Sequence, residues 1–276
     1  MSSVTSRSDV RAAGPQSARG RIALGMGAGG LQRLRQEGCG RCLMPATHGG
    51  APVAVVINTA GGLTGGDRFA VEAQLASGAR LTVSTQAAER IYRSAGGLAR
   101  ITNKLRLAAG AQLDWLPQET ILFDRAGLER SLCVEMAEDA RFLGLEMLVL
   151  GRKAMREDII HAHVADNWRI RRGGRLVHAE AFRLREEAGA LLRHAALLDG
   201  NRALATLVLA DSGAETALEA ARAALPDDGE VRAAASAMPG RLIVRWLAPD
   251  LMPLKKALKR FLAEVFSMDA PHVWQT

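Results

Sequence analysis

Aromatic side chains are scarce in this chain, at 4% of residues with one Tyr, four Trp and six Phe. A surface that stacks nucleic-acid bases needs aromatics interleaved with basic residues, so nucleic acid is not an expected partner. Cysteine is equally sparse: three in 276 residues do not make a disulfide framework, which points to a reducing compartment. No apolar run approaches the roughly 18 residues of a membrane helix. The first 21 residues are rich in Ser, Ala and Arg and lack an apolar h-region, which excludes a secretory signal. Composition leaves a transit peptide open; a disordered tail over residues 1–20 is the simpler reading. The expectation is a cytoplasmic protein with no membrane partner.

What is present is a 48% hydrophobic chain, long enough to bury a sizeable core built on Leu, Val, Ile, Ala and Met. One domain over residues 21–276 is expected. The formal net charge of +7 favours an acidic partner, and with base stacking unsupported an acidic protein fits best.

One stretch organises the rest. Pro52-Val53-Ala54-Val55-Val56-Ile57 reads as a buried strand, and it leads into Asn58-Thr59-Ala60-Gly61-Gly62-Leu63-Thr64-Gly65-Gly66-Asp67-Arg68-Phe69. Two glycine pairs within six residues let the backbone double back or lie against another backbone. Gly61-x-x-x-x-Gly66 has the glycine spacing of a phosphate loop, but Asp67-Arg68 stands where Lys and Ser or Thr are required, and a carboxylate repels phosphate. A nucleotide site is excluded there. On its own the stretch would be a tight connection carrying a solvated Asp-Arg pair.

Other motifs are weaker. Gly25-Met26-Gly27-Ala28-Gly29-Gly30 matches G-x-G-x-x-G, yet no acidic residue or crossover helix follows at the required distance, so a flexible lead-in to a strand is expected. Cys39-Gly40-Arg41-Cys42 could be redox-active or half a zinc site, but it lacks a following helix and a second ligand pair. His161 and His163 alternate, so both imidazoles could share a strand face and touch a metal, although no third ligand is placed beside them.

Short segments of alternating polarity follow Arg80: Leu81 and Val83; Ile101, Leu105 and Leu107; Leu113 and Trp115; Leu128, Leu132, Val134 and Met136. They predict a mainly β architecture with mostly antiparallel strands. The clearest hairpin joins Trp168–Arg172 to Arg175–Phe182 through Gly173-Gly174. Helical periodicity appears over Glu215–Leu225 and Leu251–Phe266, the second with lysines opposite its apolar face.

Carboxylates carry the remaining chemistry. Glu146 lies within Phe142–Leu150 and Glu180 beside His178 and Phe182, where a charge is expensive unless it meets an Arg, a donor network or water. A salt bridge with Arg152, Arg90 or Arg93 is the default for either of them. The functional alternative is a polar interior passage in which Asp67, Thr85, Glu146 and Glu180 offer hard oxygen contacts to a hydrated divalent cation. No nucleophile elbow, His-Glu-x-x-His or phosphate loop is present, so no catalytic constellation emerges.

The twelve residues 58–69 resemble the signature of the urease accessory proteins called UreD or UreH, through Asn58, Gly61, Gly62, Gly65, Gly66, Asp67 and Arg68 among others. Further matches follow in order: Thr85-Gln86-Ala87-Ala88 with Ile91-Tyr92-Arg93-Ser94, Leu116–Phe123, and Gly151-Arg152 with Met155-Arg156-Glu157. The resemblance runs from about Leu31 to the C-terminus. It implies stacked antiparallel and mixed sheets in a β-helix-like arrangement, with a small helical element near the C-terminus. It further implies a non-enzymatic scaffold chaperone that binds the urease apoprotein and UreF, which recruits the GTPase UreG. Nickel would be the transferred ion, no cofactor would be tightly bound, and an internal tunnel is credited to the family. Pro271-His272-Val273-Trp274 departs from the family's Pro-Arg-x-Trp, and Cys39 and Cys42 replace more ordinary residues. Two other classes make contrasting predictions. A metal-dependent hydrolase using His161 and His163 would hold stoichiometric metal, and a thiol redox protein using Cys39 and Cys42 would show a depressed thiol pKa.

Overall fold

Side chains alternate across a strand, so an apolar–polar alternation buries one face and wets the other. In the computed structural model, which describes residues 17–46, 50–152, 155, 157–185 and 188–275, these alternations form β1 (Arg19–Gly27), β2 (Gly30–Gly38), β3 (Gly40–Leu43), β4 (Val53–Asn58), β5 (Arg68–Leu75), β6 (Arg80–Thr85), β7 (Glu89–Ile91), β8 (Ala99–Leu107), β9 (Gln112–Trp115), β10 (Thr120–Leu122), β11 (Ala126–Met136), β12 (Arg141–Leu150), β13 (Ala162–Arg172) and β14 (Arg175–Leu184). Helix α1 (Ala188–Arg193), β15 (Ala203–Ala210), α2 (Leu218–Ala223), β16 (Arg232–Met238), β17 (Arg241–Ala248) and α3 (Leu251–Phe266) complete the order.

The strands make two sheets. The first runs β14-β13-β11-β8-β5-β1-β2 and the second β16-β17-β15-β12-β9-β6-β4-β3, with β10 beside β12 and β7. From β4 to β13 the chain crosses repeatedly between the sheets, so β5, β8, β11 and β13 stack parallel in one while β4, β6, β9 and β12 stack parallel in the other. This solenoid-like winding bears out the mainly β fold and corrects the mostly antiparallel expectation. Among the described residues, antiparallel pairing between strands is confined to β1–β2, β3–β4, β13–β14 and the run β12-β15-β17-β16. Alternation records which face is buried and is silent on strand direction, and the usual continuous apolar run of a parallel strand is missing because the first sheet has one face towards solvent.

The inward faces of both sheets share one core that includes Ile22, Val71, Leu81, Leu113, Leu128 and Trp168. A second core lies on the outer face of the second sheet, where Leu143, Leu145 and Met147 of β12 meet Leu254, Leu258 and Phe261 of α3. Strand β12 is therefore buried on both faces. Its even-numbered residues, Glu146 among them, face the first sheet.

The Gly173-Gly174 hairpin is as expected, with φ of 54° and 79°, and α3 spans the predicted residues. The helix expected over 215–225 is shorter: a 3-10 turn over Ala214–Ala217 precedes α2. Gly25–Gly30 is no flexible lead-in but the end of β1 and the turn into β2. The expected tail lies outside the described residues up to 16, and Arg19 and Gly20 already belong to β1.

Candidate functional site

The signature loop carries the chain from β4 in the second sheet to β5 in the first. Tight packing explains its glycines. A Cβ at Gly65 would sit 2.1 Å from the Gly96 carbonyl oxygen, and one at Gly62 would sit 2.4 Å from the Tyr92 ring. Leu63, fully buried, bridges to Ile91, and the Tyr92 hydroxyl donates to the Gly61 carbonyl at 3.0 Å. Asp67 Oδ1 accepts from the Ala18 amide at 2.6 Å and Oδ2 from the Thr64 amide at 2.8 Å. Arg68 opens β5 in an exposed position. Asn58 turns the other way: its Oδ1 accepts from the Ala60 amide, and its Nδ2 donates to both oxygens of Glu89 at 3.1 and 3.2 Å.

Between the sheets lie two cavities. The larger, of about 550 Å³, has Glu146, Asp166, Glu180, Thr206, Trp246 and Arg130 in its walls. The smaller, of about 170 Å³, is walled by Asn58, Thr85, Glu89, Thr120, Glu146 and Arg130 among others. Arg130 and Glu146 belong to both.

Arg130 is 3% exposed and donates to Glu146 Oε2 at 2.5 Å, Asp166 Oδ2 at 2.6 Å and Thr120 Oγ1 at 3.0 Å. Glu146 Oε1 accepts from Trp115 Nε1 at 3.0 Å. Register explains the cluster, because Arg130 of β11 lies directly beside Asp166 of β13 and both occupy the inward parity of their strands. Burial pushes the Glu146 carboxyl above the ordinary range while Arg130 pulls it back. The same burial works against charge on Arg130, but Asp166 and Glu146 outweigh it and raise its pKa. Thus Glu146 pairs with Arg130, and not with Arg152, Arg90 or Arg93.

Of the four residues expected to line a passage, Thr85, Glu146 and Glu180 lie on these cavities and Asp67 lies on neither. Thr85 Oγ1 donates to the Ala87 carbonyl and accepts from the Gln118 amide. Glu180 accepts from Arg245 and sits 3.8 Å from His178 Nε2. Sequence reasoning missed Arg130, Asp166 and Glu89. Burial pushes the Glu89 carboxyl up to about 7, against the opposing hydrogen bond from Asn58. His178 is 2% exposed, and neither ring nitrogen has a hydrogen-bond partner among the described residues. Burial, aided by Arg241 and Arg245, pushes it down to about 4.

The rival sites fare poorly. His161 and His163 border a third depression with Ser94 and Arg125. Among the described residues no group of three or more His, Cys, Asp or Glu is placed to hold a metal. Burial raises the Cys39 thiol and pushes Cys42 up to about 11, the opposite of what thiol redox chemistry needs. Two lysines of α3 turn inward. Lys255 Nζ lies 2.8 Å from Glu119 Oε2, and Lys259 Nζ donates to the Trp274 carbonyl at 3.2 Å. Trp274 is buried and donates to the Leu116 carbonyl at 3.2 Å, while Gln118 Nε2 donates to the Val273 carbonyl at 3.0 Å. The Leu116–Phe123 motif therefore anchors the C-terminus. No helix of the described residues is long and apolar enough to cross a membrane.

A family model described as UreD urease accessory protein matches residues 17–275. The chain is 46% identical over 245 residues to the urease accessory protein UreD of Chelativorans sp. (strain BNC1), covering 88% of this chain and 87% of that one. To the protein of the same name from Xanthobacter autotrophicus it is 46% identical over 264 residues, covering 95% and 91%. The corresponding Methylobacterium sp. protein is 44% identical over 270 residues, covering 95% and 96%.

Proposed function

The chain belongs to the UreD urease accessory protein family, and from that premise we propose that it is a non-enzymatic scaffold in urease maturation that passes nickel to the urease apoprotein through its interior. UreF, with the GTPase UreG recruited through it, and the urease apoprotein are the partners in this reading, and the assembly works in the cytoplasm. Nickel is cargo in this reading, held weakly and released.

The observation that supports an interior route is the polar partition between the two cavities, where Arg130 and Glu146 line both. A carboxylate in a protein interior is costly, and replacing a buried ion pair with apolar residues is often neutral or stabilising. Stability alone does not account for placing Glu146, Asp166 and Glu180 around spaces large enough for water. Carboxylate oxygens suit a hydrated divalent cation, and their partial neutralisation by Arg130 and Arg245 keeps such contacts weak enough to release it. Asp67 acts differently in this account. Its carboxylate holds the Ala18 and Thr64 amides, so it fixes the start of β1 to the crossover loop and takes no part in the route.

The test is urease activity in cells that express apo-urease and the other accessory proteins with nickel supplied, with this chain intact, absent, or carrying Glu146→Gln plus Glu180→Gln. Loss of activity on deletion is expected. Failure of the double variant to activate, while still co-purifying with its partners, supports the interior route. Full activity without the chain would remove it from urease maturation.

A further inference from the structure

The Glu146–Arg130–Asp166 cluster has features that a purely structural ion pair would lack. Two carboxylates face one guanidinium, so the three groups sum to one uncompensated negative charge when all are ionised. Arg130 Nε and Asp166 Oδ1 are buried without hydrogen-bond partners among the described residues. Asp166, itself 5% exposed, lines the larger cavity. Buried polar atoms are rarely left unpaired in a finished arrangement, and each orphan costs about 1–3 kcal/mol. Space lies on both sides, since the guanidinium borders a cavity of about 550 Å³ and another of about 170 Å³. The smaller offers Thr120, Asn103 and Glu89 as acceptors for a displaced guanidinium.

We propose that Arg130 is a displaceable gate: a divalent cation entering from one cavity takes the guanidinium's place between Glu146 and Asp166, and the returning guanidinium expels it into the other. The inference rests on the interior-route reading. A dication neutralises the two carboxylates, and the displaced guanidinium, which stays tethered nearby, has Glu89 in the smaller cavity as its counter-charge. The unpartnered Asp166 Oδ1 supplies an oxygen that Arg130 does not use. Competition from the tethered guanidinium then lowers the apparent affinity of the cation by the fraction of time the gate is closed, which keeps the site transient. Arg130 is a positioning residue here, setting how long the cargo stays.

Nickel ion alone, titrated into the purified full-length chain at pH 7.5, is the probe. Arg130→Gln is expected to bind one Ni²⁺ per chain roughly tenfold more tightly or better than the parent, and to lose that gain when Glu146→Gln and Asp166→Asn are added. A folded Arg130→Gln chain with parental affinity overturns the gate, as does a gain that survives the two amide substitutions. Should Arg130→Gln fail to fold, Asp166→Asn serves instead. It keeps the Arg130–Glu146 pair and removes the orphan oxygen, so reduced nickel delivery to urease with an intact complex is expected, and full delivery overturns the proposal. A steric plug, Thr206→Trp, separates the two ideas, since Thr206 lies opposite Glu146 in the β12–β15 register and lines the larger cavity. If the plug blocks activation while Arg130→Gln behaves as the parent, the route stands and the gate falls. If the plug changes nothing, the route itself fails and the gate with it.

Discussion

Arg130→Met is the most informative perturbation of stability in this chain. The substitution keeps an unbranched, shorter apolar stem and removes hydrogen bonds to Thr120, Glu146 and Asp166, the last two of them ion pairs. It leaves two carboxylates buried at 6% and 5% exposure with no cation between them. Removing one partner of a buried ion pair costs about 3–5 kcal/mol. In a domain of this size each kcal/mol is worth about 2–4 °C, so the midpoint of thermal unfolding should fall by about 6–20 °C at pH 7.5. The loss should shrink at pH 5, because two facing carboxylates without a cation take up protons more readily than in the unfolded chain. Arg130→Met with Glu146→Leu and Asp166→Leu should recover most of the deficit, since no unpaired charge then remains. Circular dichroism melts and urea titrations on the purified chain measure both numbers. A single variant within about 1 kcal/mol of the parent, or a triple variant no more stable than the single, would be incompatible with an ion pair that holds these buried carboxylates.

Two titrating groups and two glycines give further expectations. Glu89 carries a carboxyl raised to about 7, so the folded chain holds its proton where the unfolded chain has lost it, and stability declines as pH rises from about 4.5 to 7. Glu89→Gln should flatten that decline and gain at most about 3 kcal/mol at pH 8 in urea unfolding, with little change at pH 4.5. His178, pushed down to about 4, works in the opposite sense: its contribution is complete above about pH 6.5 and is lost as pH falls towards 4. His178→Phe sacrifices no hydrogen bond and should remove that acid loss, worth at most about 3 kcal/mol, as read by melts between pH 4 and 7. Gly65→Ala pushes a methyl to 2.1 Å from the Gly96 oxygen, whereas Gly61→Ala meets nothing and pays only for its φ of 76°. The first should cost about 1–3 kcal/mol or more and the second about 1–2 kcal/mol, a ranking that equilibrium unfolding checks directly.

The partition was readable from parity, although reading only the apolar positions hides it. Leu128, Leu132, Val134 and Met136 mark the inward face of β11, and Arg130 fills the one gap in that series. Asp166 fills the same gap between Val164 and Trp168, as Asn103 does between Ile101 and Leu105. A polar residue in an otherwise apolar inward row is therefore the signal for an interior site. Pairing was not readable. Glu146 meets Arg130 because the chain crosses repeatedly between two sheets, a consequence of winding that local periodicity does not encode. For the same reason Asp67 could be identified as an important carboxylate but not as a holder of backbone amides. Glu89 escaped because its burial, and its partner Asn58 thirty-one positions away in sequence, follow from the tertiary path of the chain. The Gly173-Gly174 hairpin and α3 were legible because their determinants, a positive-φ turn and a 3.6-residue period, are local.

The proposed route takes nickel to urease through the space beside Glu146. The most direct measurement is the nickel content of urease matured in cells whose only copy of this chain carries Thr206→Trp, with the accessory complex recovered intact from the same cells. An assembled complex with nickel-poor, inactive urease is the expected result. Fully loaded, active urease behind the plug would contradict it.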